Sequence, residues 1–237
     1  MSTTKTSIIF VAGAWHTEFH IQPITPYLEA YGYRVVPVKL RTSGRHDPPP
    51  TVQDNIKQIR DILKAEIDAG YRVCLLGHSV SGQSVAAAAS EFLVTATTEE
   101  KSRLVHIIFI ACFLNAVRAC EGAQWYTIDF ETMWTTLNLA YESFYNTMSP
   151  AAAKPFVAAL DSNLAQMPPE NIPDLWKTQV KGTYFLCRKD KAIPPERQRP
   201  EAEENGMRLI ELEMDHCPFV SQPKELTKEL QKVLQGV

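Results

Sequence analysis

Within this 237-residue chain, the stretch best equipped for chemistry is Gly77-His78-Ser79-Val80-Ser81-Gly82. It follows the apolar run Arg72 to Leu76 and leads straight into the small-residue run Gln83 to Ala89. A serine in a sharp turn between a buried strand and a helix has its hydroxyl held out at the top of a sheet, beside a helix N-terminus. Small residues are needed two before and two after it, because the backbone is crowded there. Gly77 supplies the first, and Ser81 stands where the usual Gly-x-Ser-x-Gly pattern has its second glycine, a mild steric departure. The chemistry such a serine performs is attack on a carbonyl carbon, for which its weakly nucleophilic hydroxyl needs a base. An ordinary tight turn could carry the same string; its place between strand and helix favours the chemical role.

Holding that serine in place requires a sheet, and the chain carries six strand-like runs: Ser7 to Ala12, Tyr33 to Val38, Arg72 to Leu76, Leu104 to Ile110, Thr183 to Cys187 and Arg208 to Leu212. Short apolar runs of this kind are strands buried on both faces. Pro37 marks the second as an edge strand or a strand end. Helical spacing predicts helices from about Glu18 to Tyr31 with Gly32 as the stop, from about Thr51 to Gly70, over the Gln83–Ala89 run, and from Pro223 to Leu234. Strands alternating with helices imply an α/β fold, a mostly parallel sheet of about six strands with helices on both faces. Residues 113–181 break the rhythm, with no strand-like run but with Trp125, Tyr126, Phe130, Trp134, Tyr141, Phe144, Tyr145, Phe156 and Trp176. That stretch is too long for one βα connection. It is expected to be a helical cap inserted over the C-terminal ends of the strands, within one domain spanning 1–237.

Hydrophobic residues make up 45% of the chain and charged residues 22%, so it is globular rather than disordered. A net charge of −3 without blocks of like charge points to neither nucleic acid nor an anionic membrane as partner. No run is long enough to span a bilayer, and Met1 to Thr6 lacks the pattern of a secretory signal. The five cysteines, Cys74, Cys112, Cys120, Cys187 and Cys217, are odd in number and form no CxxC pair, which argues against a disulfide framework or a zinc site. A reducing cytoplasm is the default compartment.

The chain resembles the α/β-hydrolases, and among them the small single-domain members that include plant methylesterases and hydroxynitrile lyases. Four segments in order carry the resemblance over nearly the whole chain: Phe10 to His16, the Gly77–Gly82 turn, Cys187 to Pro194, and Met214 to Phe219. The resemblance implies a catalytic triad of Ser79 as nucleophile, His216 as base and Asp190 as the acid that holds the imidazole. It implies an oxyanion hole from the backbone N–H groups of Ala14 and Val80, and no metal or cofactor. Asp215 adjoins His216 but is a poor triad candidate, since sequence neighbours seldom face each other. Among the other histidines, His106 lies mid-strand and His46 in a loop, and His78 is expected to pack beneath the turn. His16 and His20 flank the oxyanion loop and either line the pocket or cap a helix. Gly13, Trp15, His16, Trp125, Trp134 and Phe219 are candidate pocket residues, and most of the cap aromatics are packing.

Hydroxynitrile lyases of this group carry a threonine in the oxyanion loop and a lysine after the catalytic histidine. Gly13 and Cys217 stand at those positions, which disfavours the lyase. Dehalogenases and epoxide hydrolases need an aspartate where Ser79 stands. The aromatic cap, with Met133, Met148 and Met167, suggests an apolar pocket, so the expected substrate is a small-molecule ester or lactone with a hydrophobic body. The alternatives are a receptor-like binding protein for a small lactone with slow or no turnover, or a lyase or carbon–carbon bond hydrolase. The expected assembly is a monomer or homodimer.

Overall fold

A computed structural model describes residues 5–114, 124–165 and 175–235; Cys120 and Met167 lie outside these. In chain order the first half contains β1 (Thr6–Val11), α1 (Glu18–Ile21), α2 (Thr25–Ala30), β2 (Arg34–Val38), α3 (Val52–Asp68), β3 (Arg72–His78), α4 (Ser81–Thr95), α5 (Thr98–Arg103) and β4 (Leu104–Ile110). Then come β5 (Tyr126–Ile128), β6 (Trp134–Leu137), α6 (Ala140–Phe144), α7 (Pro150–Ala158), β7 (Asn163–Leu164) and α8 (Leu175–Gln179). The chain ends with β8 (Gly182–Cys187), α9 (Pro195–Glu204), β9 (Arg208–Leu212), α10 (Pro218–Ser221) and α11 (Pro223–Leu234).

The six predicted strands form one parallel sheet in the order β2-β1-β3-β4-β8-β9. Pro37 sits on the edge strand β2, where its missing N–H breaks no ladder. Alternate residues of the strands feed two cores, one on each face. Ile8 and Phe10 of β1 join α1, α2, α10 and α11, whereas Ile9 and Val11 join α3 and α4. This two-sided burial explains the continuous apolar runs. From β1 the chain turns one way to β2 and then returns to the other side as β3. Such a reversal opens a crevice at the carboxyl ends of the two strands, where ligands bind in open α/β sheets.

Two expectations need correction. The single helix over Glu18 to Tyr31 is two short helices, interrupted at Gln22-Pro23 and restarted with Pro26 in the first turn of α2. A proline supplies no N–H to the preceding turn but suits the start of a helix. The inserted segment is not wholly helical: besides α6, α7 and α8 it carries an antiparallel sheet ordered β5-β6-β7. These strands are two to four residues long and mostly half-buried, too short to show an apolar run. They are tied together partly by side chains, Thr135 Oγ1 donating to Asn163 O at 2.7 Å. Among the described residues, no helix is long and apolar enough to cross a membrane.

Candidate active site

The loops after β1 and β3 meet at the crevice. Ser79 follows β3 with φ +56°, a left-handed conformation that costs a non-glycine residue energy and is retained where its surroundings dictate it. Those surroundings are visible. Ser79 N–H donates to Ile110 O at the end of β4, and Ser79 O accepts from the N–H groups of Gly82 and Phe113. A Cβ on Gly82 would lie 2.8 Å from Cys112 Cβ and 2.9 Å from Phe113 O, so only glycine fits there. The departure at Ser81 has a structural use. Its buried hydroxyl accepts from His78 N–H at 2.8 Å and lies 3.0 Å from Val11 O and 2.8 Å from His78 O, tying the ends of β1 and β3 together.

Asp190 and His216 are joined directly. The loop after β8 buries the Asp190 carboxylate, whose Oδ1 accepts from the N–H groups of Ala192 and Ile193, both at 2.8 Å. Its Oδ2 accepts from His216 Nδ1 at 2.7 Å and from Gln198 Nε2 at 3.0 Å. With its proton on Nδ1, His216 presents Nε2 as a base. The His216 ring stacks on Phe144 with 5.3 Å between centroids, and its carbonyl accepts from His78 Nε2 at 2.9 Å. His78 therefore packs beneath the turn and steadies the histidine loop, and burial, with the neighbouring His216 and His16, holds its pKa well below the ordinary value. Asp215 is engaged elsewhere, accepting from Thr147 Oγ1 at 2.6 Å and Ser221 Oγ at 2.7 Å.

Ser79 follows His78, which bonds the His216 carbonyl, but among the described residues the Ser79 hydroxyl has no hydrogen bond with His216 or any other group. Such bonds are often long or misaligned in free enzymes and tighten with substrate. Gly13 lies against it: a Cβ there would be 2.8 Å from Ser79 Cβ and 2.9 Å from His78 Nδ1. Gly13 is thus the residue that lets the β1 loop approach the serine.

His16 organises that loop. Its N–H donates to Gly13 O at 3.2 Å and its Nδ1 to Ala14 O at 2.8 Å. In a trans peptide the C=O and N–H point opposite ways, so fixing Gly13 O aims the Ala14 N–H away from His16. Neither Ala14 N–H nor Val80 N–H donates to a described residue, and both residues line the same cavity as Ser79. Two unspent donors beside a serine suit a developing oxyanion. His16 Nε2 faces the Tyr145 hydroxyl at 3.1 Å and the Cys217 thiol at 3.2 Å. Burial foremost, then His20, keeps His16 far below its ordinary pKa, and burial raises that of the Cys217 thiol.

The cavity at Ser79 measures about 80 Å³ and is mainly apolar. Of the six candidate pocket residues, Trp15 and Trp125 line it. The other four lie elsewhere: Gly13 packs on the serine turn, His16 behind the oxyanion loop, and Phe219 edge-on against Phe10 and His78. Trp134 carries the Arg45 guanidinium 4.8 Å from its ring centre. Neither Met133 nor Met148 lines the cavity. His20 caps α1, accepting from Thr17 N–H and facing Phe156 O, and His106 bonds Thr183 inside the sheet. Sequence reasoning missed Gln83, Tyr126, Thr135 and Asn163 in the cavity and Gln198 behind the acid. Only Gln83, one turn past Ser79, offered a positional signal.

A profile described as "Alpha/beta hydrolase family" matches residues 8–229. The chain is 23% identical over 232 residues to "Alpha/beta hydrolase nvfD" of Aspergillus novofumigatus, covering 92% of each chain. It is 23% identical over 263 residues to "Methylesterase 1" of Arabidopsis thaliana, covering 97% of this chain and 96% of the relative. The solved methylesterase MES16 from Arabidopsis superposes with a TM-score of 0.75 at 18% identity, covering 99% of this chain and 100% of that one, a likeness of fold.

Proposed function

The chain belongs to the alpha/beta hydrolase family, and on that premise we propose that it is a serine hydrolase cleaving a carboxylic ester or lactone through an acyl-enzyme. The observation that supports this reading is the buried Asp190–His216 pair, 2.7 Å apart, whose His216 carbonyl is bonded to His78, the residue just before a serine in a left-handed turn. Ser79 Oγ bonds to the carbonyl carbon while its proton passes to His216 Nε2. Charge collecting on the carbonyl oxygen is met by the N–H groups of Ala14 and Val80, such a donor being worth about 3–4 kcal/mol of barrier. Collapse expels the alkoxide, which takes the proton from His216. Water then repeats the sequence on the acyl-enzyme and frees the acid and Ser79. Asp190 holds the imidazole tautomer and stabilises the imidazolium.

The apolar lining from Trp15, Val80, Phe113, Trp125 and Ile193 supports a hydrophobic group next to the carbonyl. The small cavity and the name of the relative Methylesterase 1 both favour an ester of a small alcohol. The lyase alternative is weakened further, because the residue after His216 is a buried, uncharged thiol facing His16. The second reading is a small-lactone binder with slow turnover, which the same apolar cavity would serve. Steady-state and burst kinetics on p-nitrophenyl acetate and butyrate separate the two. Sustained turnover that falls about 10⁴-fold or more in Ser79→Ala and His216→Ala, without adding in the double variant, supports the hydrolase. One slow acylation without turnover supports the binder, and hydrolysis untouched by Ser79→Ala overturns the mechanism.

A further inference from the structure

Two residues that line the serine cavity carry a buried hydrogen-bond donor with no acceptor among the described residues. Gln83, four residues after Ser79 in the first turn of α4, lines the cavity and is only 2% exposed, and its Nε2 is buried without a partner. Trp15 also lines the cavity, is likewise buried, and has an unpartnered Nε1–H. Buried side-chain donors are paired in nearly all native structures, and an exception calls for an explanation. Leucine or methionine would fill the Gln83 position without the desolvation penalty of an unpaired amide. Neither donor is needed by the turn itself, since the oxyanion is served by backbone N–H groups. The Trp15 indole also borders a second pocket beside α7, so Gln83 carries the greater weight.

We propose that Gln83, assisted by Trp15, selects substrates whose acyl portion carries a second oxygen acceptor, such as an oxo group, near the scissile carbonyl. The inference rests on the hydrolase assignment and narrows its substrate class from any small apolar ester to an oxygenated one. In the complex the acceptor takes the Gln83 Nε2–H, so the buried amide is satisfied only when the correct substrate is bound. An analogue with methylene at that place leaves the amide unpaired, and sites built to hydrogen-bond a substrate reject such analogues strongly. Trp15 Nε1–H supplies a second donor to the same oxygen or to its neighbour. Gln83 and Trp15 are thus specificity-determining residues and take no part in proton transfer.

The test compares methyl 3-oxopentanoate and methyl 4-oxopentanoate with methyl pentanoate, on the wild-type protein and on Gln83→Leu, Gln83→Met and Trp15→Phe. Intrinsic reactivity differences between the esters cancel when the oxo-to-plain ratio of kcat/KM is compared between proteins. At least one oxo ester should lose about tenfold to a hundredfold in that ratio on Gln83→Leu or Gln83→Met, and less on Trp15→Phe. Two substitutions of similar volume guard against a folding defect, which circular dichroism and urea midpoints would expose. A parallel arm needs no turnover: the same esters are titrated into Ser79→Ala and Ser79→Ala/Gln83→Leu by tryptophan fluorescence, where the oxo preference should be present and then lost. Ratios that stay within about threefold of wild type in both arms overturn the role of Gln83 and leave the hydrolase assignment standing. Hydrolysis surviving in Ser79→Ala overturns the hydrolase assignment, and the binding arm then decides the role of Gln83 alone.

Discussion

Replacing Asp190 by asparagine changes one oxygen to an amide nitrogen, and the four contacts around the carboxylate determine the consequence. Oδ1 accepts from two loop N–H groups at 2.8 Å, which asparagine can keep only by placing its own oxygen there. Its NH₂ then faces His216 Nδ1 and the Gln198 amide at the places where Oδ2 accepted bonds of 2.7 and 3.0 Å. Donor meets donor twice. His216 can relieve its clash only by moving the proton from Nδ1 to Nε2, the tautomer that cannot take a proton from Ser79. The loss in kcat should be about 10⁴-fold, equivalent to about 5.4 kcal/mol in the barrier, as for a triad whose histidine is held in the wrong tautomer. The Gln198 bond is lost and the His216 bond is replaced by a neutral one, so unfolding free energy should fall by about 1.5–3 kcal/mol. The assay is steady-state hydrolysis of p-nitrophenyl butyrate, with urea midpoints to show that the variant is folded. A folded Asp190→Asn protein within about tenfold of wild-type kcat would refute the orienting role of the carboxylate.

The same geometry sets the response to other perturbations. Gly82→Ala forces a Cβ to within 2.8 Å of Cys112 Cβ, so the turn must shift; it should lose about 1–3 kcal/mol in urea unfolding together with much of the activity. Gln198→Leu strips the acid loop of its contacts to Cys187, Ile193 and Asp190. It should cost at least about 2 kcal/mol, and kcat should fall more than KM changes. The buried histidines predict a pH dependence of stability: His106 is lowered from 6.5 to about 4 by burial and by Lys181 and Arg208, and His16 and His78 are lowered as well. Between pH 6.5 and 4 the unfolded chain therefore binds more protons than the folded one, so stability falls on acidification and is level above this range. Each such histidine contributes about 1.4 kcal/mol per pH unit, and His106→Gln should reduce the slope of the urea midpoint against pH.

The parts of the molecule legible in the sequence are those buried on both sides or held by sterics. Ile8 to Val11 and Val73 to Leu76 read as strands because both faces of the sheet are covered, and every one of these residues is buried. The Ser79 turn is legible because small residues at 77 and 81 flank the serine at a spacing that crowding enforces. Asp190 and His216 are found through resemblance, since nothing in their own neighbourhoods sets them above the other acids and histidines. The cap sheet is hidden because Trp134 to Leu137 is half-buried and lacks an apolar face of useful length. Gln198 looks like any polar residue on a helix of charged neighbours, yet it is fully buried behind Asp190. Its function depends on a loop that folds back over it, a contact with no period and no motif.

The most direct measurement is covalent labelling of the nucleophile. The protein is treated with a fluorophosphonate, and the modified peptide is located by mass spectrometry in wild type, Ser79→Ala and His216→Ala. One label per chain is predicted, on Ser79, absent from Ser79→Ala and formed at least about 10³-fold more slowly in His216→Ala. A label that lands on Ser81 or Cys217, or that reaches Ser79 at an undiminished rate without the imidazole, would contradict the account.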